Sequence, residues 1–251
     1  MSRESERSDG RRPDELRRVE IEPGFTTLPA GSALLRAGKT IVLCTASVTP
    51  GVPGFRESVG GWLTAEYCMS PGSTPQRTER ESARGKVQGR THEIQRLIGR
   101  SIRSVVDLPK LGAHTVHLDC EVLQADGGTR TAAITGAWVA LALAVDRLMV
   151  DGRIPSNPLT GSVAAVSCGM LRGRALLDLD YREDSRADVD MNLVMTSKGE
   201  MVEVQATGEG GTLSRADLDA LLSLGEAGIA ELRMLQLGAL GEAARRLGVA
   251  P

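Results

Sequence analysis

Asp126-Gly127-Gly128-Thr129-Arg130 stands where a strand pattern ends and a helical pattern begins. The first N–H groups of a helix lack intrahelical partners and carry the positive end of its dipole. Glycines let a ligand approach that backbone, Thr129 adds a hydroxyl and Arg130 a forked cation. Gly128, Thr129 and Arg130 therefore suit an anion, phosphate first among them. A capped turn with a surface arginine would satisfy the same pattern. The run is neither a Walker A loop nor a G-x-G-x-x-G fingerprint.

A second run is acidic. Asp178, Asp180, Glu183, Asp184, Asp188 and Asp190 face only Arg182 and Arg186, six acids against two bases. Asp184 and Asp190 are six positions apart, as are Asp178 and Asp184. Such pairs can reach one hard cation such as Mg²⁺ through oxygen; a hydrated acidic loop is the plainer alternative. A third run, 76–103, is basic, with eight Arg or Lys against Glu79, Glu81 and Glu93. Arg77, Arg80, Arg84 and Arg90 lie in it. Their even spacing suits phosphodiester contacts with little base reading, or a solvated helix face, or pairing with a neighbouring subunit. Anion turn, carboxylates and basic track together favour an enzyme acting on a phosphodiester over a small-molecule binder.

Alternation and helical periodicity give the elements that must hold these groups. Strands are expected at 32–36 and 40–48 around a turn at Ala37-Gly38, with a Pro/Gly loop over 50–61. Ile94, Leu97, Ile98, Ile102 and Val105 recur at helical spacing, with Thr91 as the expected N-cap. A strand at 115–123 leads through the Asp-Gly-Gly turn into an apolar, buried helix ending near Val150. Strands near 162–171, 174–180, 191–197 and 201–207 follow, then helices near 214–224 and 226–247. Strands then helix, twice over, suggests an α+β fold with two related halves, about 13–152 and 153–251, behind a flexible leader over 1–12.

Composition closes off other classes. Lys+Arg is 30 and Asp+Glu 32, a net charge of −2, so the chain is no polycation coating nucleic acid. Aromatics are 2 %, too few for many base-stacking platforms. Cys44, Cys68, Cys120 and Cys168 show no C-x-x-C pair and read as reduced, buried thiols. His114-x-x-His117 lacks a third ligand nearby and reads as strand-borne surface histidines. No signal-peptide pattern opens the chain, and the apolar stretch Gly136 to Val145 is too short to span a bilayer. The expected compartment is the cytoplasm.

Four runs carry a family resemblance: 61–74 (GWLTAEYCMSPGST), 89–103 (GRTHEIQRLIGRSIR), 118–137 (LDCEVLQADGGTRTAAITGA) and 177–192 (LDLDYREDSRADVDMN). They closely resemble the bacterial ribonuclease PH family, phosphorolytic 3′ exoribonucleases also called tRNA nucleotidyltransferases. The resemblance runs from about Arg12 to about Arg245. It implies a ribonuclease PH-like α+β fold (ribosomal protein S5 domain 2-like) and a homo-hexameric ring, a trimer of dimers. It implies inorganic phosphate as co-substrate, bound by Arg90, Gly128, Thr129 and Arg130. It implies Asp184 and Asp190 as catalytic carboxylates and Mg²⁺ ligands, with Asp178 near by in a structural place. It implies Arg77, Arg80 and Arg84 as contacts to RNA, chiefly tRNA 3′ ends. The alternatives are a non-catalytic RNA-binding ring subunit of exosome type and a hydrolytic metal nuclease that needs no phosphate.

Overall fold

In the computed structural model, residues 7, 9–209 and 211–249 are described, apart from the side chains of Ser82 and Arg84. The first half holds β1 (Val19–Pro23), β2 (Gly31–Ala37), β3 (Thr40–Pro50), β4 (Trp62–Met69), α1 (Gly89–Arg103), β5 (His114–Gln124) and α2 (Thr129–Val150). The second holds β6 (Val163–Leu171), β7 (Arg174–Leu177), α3 (Tyr181–Asp184), β8 (Val189–Thr196), β9 (Met201–Gly208), α4 (Arg215–Leu240) and α5 (Glu242–Arg246).

The first five strands form one sheet in the order β1-β2-β3-β5-β4, and the rest form a second in the order β7-β6-β8-β9. β3 and β5 pair antiparallel, with Cys44 opposite Cys120, whereas β4 joins β5 parallel. In β3 buried and half-buried positions alternate, as one covered sheet face requires. α1 buries Ile94, Leu97, Ile98 and Ile102 and leaves Arg96 and Arg100 exposed. α2 packs against β2, β3 and β5 of the first sheet and against β6 of the second. Its 22 residues are long and apolar enough to cross a membrane by length and composition, beyond the shorter stretch read from the sequence. Its apolar window is mostly buried between the two sheets.

Several expectations need correction. Thr91 does not cap α1; Gln88 holds the N-cap position, and the Thr91 hydroxyl instead donates to Glu81 Oε1 at 2.8 Å. The strand expected to 180 ends at Leu177, because Asp178 takes a left-handed φ of 54° and turns the chain. The two helices expected to divide near 225 are one helix, α4, broken only at Gly241. A β-carbon at Gly225 would come within 2.7 Å of Leu193, so glycine there lets α4 lie close to the second sheet. Cys68 is exposed, not buried.

Of the leader 1–12, residues 1–6 and 8 lie outside the described residues. Arg7 is 7 % exposed, and its guanidinium forks onto Glu183 at 2.8 and 2.6 Å. It also donates to the carbonyls of Leu177 and Asp178. Five donors in a rigid fork satisfy buried acceptors in a way that composition alone does not reveal.

Candidate active site

The junction between β5 and α2 is built from glycines in left-handed backbone, which other residues rarely adopt. Gly127 and Gly128 have φ of 78° and 64°. A β-carbon on Gly127 would stand 2.6 Å from the Leu179 carbonyl, so the turn lies directly against the acidic segment. Three hydrogen bonds from two side chains pin it. The Thr40 hydroxyl donates to Gly127 O at 2.7 Å and accepts from Asp126 N at 2.9 Å, while Arg17 donates to Asp126 O at 2.5 Å. The N terminus of α2 is thereby held rigid, its first N–H groups aimed outward.

That end faces a cleft of about 520 Å³. Gly128, Thr129, Arg130, Arg90, Asp184 and Asp190 all line it. The structure thus brings together six residues drawn from three distant runs. Arg90 comes from the first turn of α1 and is exposed, and its side chain makes no hydrogen bond or ion pair among the described residues. Arg130 is held on two sides, by Glu93 Oε1 of α1 at 3.2 Å and by Gln205 Oε1 of β9 at 2.8 Å. Thr129 Oγ1 lies 2.8 Å from the hydroxyl of Tyr67. Burial raises the Tyr67 phenol above its ordinary value, so it stays protonated and can serve as the donor, which frees the Thr129 O–H for a ligand.

The carboxylates sit on the opposite wall. Asp184 ends α3, a single turn capped by Asp180, whose side chain accepts from the N–H groups of Arg182 and Glu183. Asp190 projects from β8, where the Asn192 amide donates to its Oδ2 at 3.4 Å. Burial raises the Asp184 carboxyl, against the pull of Arg90 and Arg130. Burial, then repulsion from Asp184, pushes Asp190 up to about 6.

Among the described residues no group of three or more His, Cys, Asp or Glu side chains could hold a metal. Mg²⁺, however, is commonly held by one or two carboxylates, with water and substrate phosphate completing its shell. Asp184 and Asp190 repel each other across a half-buried gap, and neither has a cationic side chain hydrogen-bonded to it among the described residues. A donor set of this kind fits that ion.

The basic track is not gathered in the same way. Arg77 and Arg80 lie in the exposed segment before α1, and neither lines the cleft, although Gln76 and Thr78 do. Arg80 pairs with Glu121 at 3.3 Å on the surface. The side chain of Arg84 lies outside the described residues.

Sequence reasoning missed Tyr67, Glu93, Asn192, Gln205 and Ser167. None has a local signal. Tyr67, Glu93 and Gln205 reach the cleft residues by contacts across tens of positions, Asn192 stands two positions from Asp190 on β8, and Ser167 lines the cleft from β6.

Comparison with known proteins gives the family of the chain as a whole. Residues 15–145 match the model of domain 1 of the 3′ exoribonuclease family, and residues 161–228 match domain 2. The ribonuclease PH of Corynebacterium efficiens is 58 % identical over 236 residues, covering 94 % of this chain and 96 % of that protein. The ribonuclease PH of Bacillus pumilus is 56 % identical over 238 residues, covering 94 % and 98 %. Among solved structures, rice (Oryza sativa) Rrp46 aligns with a TM-score of 0.76 at 21 % identity, over 93 % of this chain and all of that one. At that identity it speaks for the fold alone. A chain of the Archaeoglobus fulgidus exosome, solved with RNA bound to its active site, aligns with a TM-score of 0.77 at 25 % identity, over 92 % and 93 %. With both family domains present in order and more than half its residues shared with these bacterial relatives, the chain belongs to the 3′ exoribonuclease family, in its ribonuclease PH group.

Proposed function

We propose that the chain is a phosphorolytic 3′ exoribonuclease and reversible tRNA nucleotidyltransferase. It binds RNA, takes inorganic phosphate as co-substrate and works within a ring-like oligomer. In finer detail, the ring is a homo-hexamer, a trimer of dimers, working in the cytoplasm on tRNA 3′ ends. The observation that carries the reading is one cleft lined by the α2 N terminus, two arginines and two carboxylates.

Inorganic phosphate occupies the N terminus of α2, where the outward N–H groups, the Thr129 hydroxyl, Arg130 and Arg90 neutralise it. One of its oxygens attacks, in line, the phosphorus of the last phosphodiester. The new P–O bond makes a nucleoside diphosphate, and the broken bond leaves a 3′ oxygen on the shortened RNA. That oxygen needs a proton or a positive charge. Asp184 and Asp190 line the same cleft, and burial favours the neutral carboxyl in both, so one of the pair can supply that proton. The same two carboxylates would hold Mg²⁺, which supplies Lewis-acid stabilisation of oxyanions when bound. A phosphodiester is exchanged for a pyrophosphate-type linkage, so the reverse reaction adds nucleotides from diphosphates. Positioning and charge neutralisation supply most of the rate.

The test is a product assay on a tRNA with a short labelled 3′ extension and Mg²⁺, with and without inorganic phosphate. Nucleoside diphosphates formed only with phosphate are the expected result. Monophosphates formed without it would mean a hydrolase, and bound but uncut RNA in both tubes would mean a non-catalytic ring subunit.

A further inference from the structure

The second sheet carries a row of polar side chains at the cleft. Ser167 on β6 is registered opposite Asn192 on β8, and Asn192 opposite Gln205 on β9. Residues paired in this way share one face of a sheet. Two members of the row are engaged with the site. The Gln205 side-chain oxygen accepts from Arg130, and the Asn192 amide donates to Asp190.

The third member is unpaired. Ser167 is 4 % exposed and lines the cleft, yet its Oγ has no hydrogen-bond partner among the described residues. Buried hydroxyls are rarely left so, because desolvation without a replacement bond is costly. The Oγ lies 3.7 Å from where a β-carbon on Gly128 would stand. The enclosed hydroxyl thus sits beside the N-cap of α2, at the wall of the cleft.

We infer that Ser167 is a further substrate-contacting residue, whose hydroxyl donates a hydrogen bond to a phosphoryl oxygen seated at the N terminus of α2. This rests on the phosphorolytic reading above. Two sources carry that chemistry, inorganic phosphate and the terminal phosphodiester of the RNA. A row of one free hydroxyl, one amide on the carboxylate and one amide on the arginine makes the second sheet the wall against which the reacting phosphorus is aligned.

The test compares Ser167→Ala with Arg130→Ala and the unmodified enzyme in steady-state phosphorolysis. Inorganic phosphate is varied at saturating RNA, then RNA at saturating phosphate. Thermal unfolding is followed in parallel. Losing one hydrogen bond to a charged oxygen should raise the KM for phosphate about tenfold in Ser167→Ala. The midpoint of unfolding should hold or rise, since an unpartnered polar group has been removed. A rise in the KM for RNA alone would support the same contact made to the phosphodiester. Unchanged KM values for both, while Arg130→Ala is impaired, would overturn the inference and leave the phosphorolytic reading standing. A lowered unfolding midpoint with both KM values unchanged would assign Ser167 a structural place and also overturn it. Absence of phosphate dependence in the unmodified enzyme would overturn the phosphorolytic reading itself.

Discussion

Asp178 and Asp190 belong to one acidic run, yet they live in opposite electrostatic worlds. Asp178 is 5 % exposed, and Arg17 saturates it, with its backbone N–H and guanidinium donating at 2.7 to 3.0 Å. Burial alone would raise that carboxyl, but Arg17 and Arg11 hold it below its ordinary value. Asp190 is half-buried and has Asp184 for a neighbour, so burial and repulsion push it up to about 6. The same residue type becomes a structural anchor when its charge is paired, and a chemical group when the charge is left in want of a cation. Glu183 is likewise paired, through Arg7, whereas burial raises Asp184. Neighbours in sequence, they leave the same helical turn about 100° apart.

This contrast can be broken at either end. Asp178→Ala should have the largest effect, a loss of about 3–5 kcal/mol of folding stability, because Arg17 would remain buried without its partner. Urea or thermal unfolding measures it, and a change within 1 kcal/mol would put Asp178 outside the anchoring group. Asp184→Asn should keep the fold while turnover falls by roughly 10²–10³, the scale of losing one group that stabilises transition-state charge. Paired measurements of kcat and unfolding midpoint separate the two cases; a variant that fails to fold would move Asp184 into the anchor class. Arg130→Ala should raise the phosphate KM by about tenfold or more and lower kcat, since a forked cation is lost. Equal phosphate kinetics would count against the anion site.

The two carboxylates also predict opposite pH behaviour of the metal-free protein. Asp178 is depressed, so its stabilising contribution is present above its unfolded value and is lost as pH falls through the lower folded one. Asp190 is raised, so the folded protein binds the extra proton. Its ionisation erodes stability as pH climbs from about 4 to about 6. Asp190→Asn should flatten the unfolding profile across that upper window, and a profile identical to the parent's would contradict the assignment. The smallest effect belongs to the surface track. Replacing Arg77 and Arg80 together should weaken RNA binding a few-fold and lower its salt slope by about one to two. An unchanged slope in a salt titration would exclude phosphate contact there.

What the sequence made legible is local chemistry and periodic pattern. The Asp-Gly-Gly turn, the helical stripe of Ile94 to Val105 and the alternation of 115–123 each declare their element within a few residues. The cleft residues Gly128, Thr129 and Arg130 lie on one such turn. Partners were not legible. Nothing near Arg130 points to Gln205, and nothing near Arg7 points to Glu183, because sheet register and long-range ion pairs follow from how distant elements dock. Composition could not separate Asp178 from Asp184 either, since only a neighbouring cation distinguishes them. Gly225 misled in the opposite sense. Glycine marks a break by propensity, but here close packing against Leu193 keeps the helix whole.

Arg130 is braced by Gln205, 75 residues further along the chain. During synthesis, at ~5–20 residues per second, that separation is a delay of about 4–15 s. The half-made protein on the ribosome already has its anion turn but not the carboxylates, nor the strand that steadies the arginine. A chain interrupted before β9 is thus expected to lack the assembled cleft, and the ribosome's own RNA is met by an enzyme that cannot yet cut.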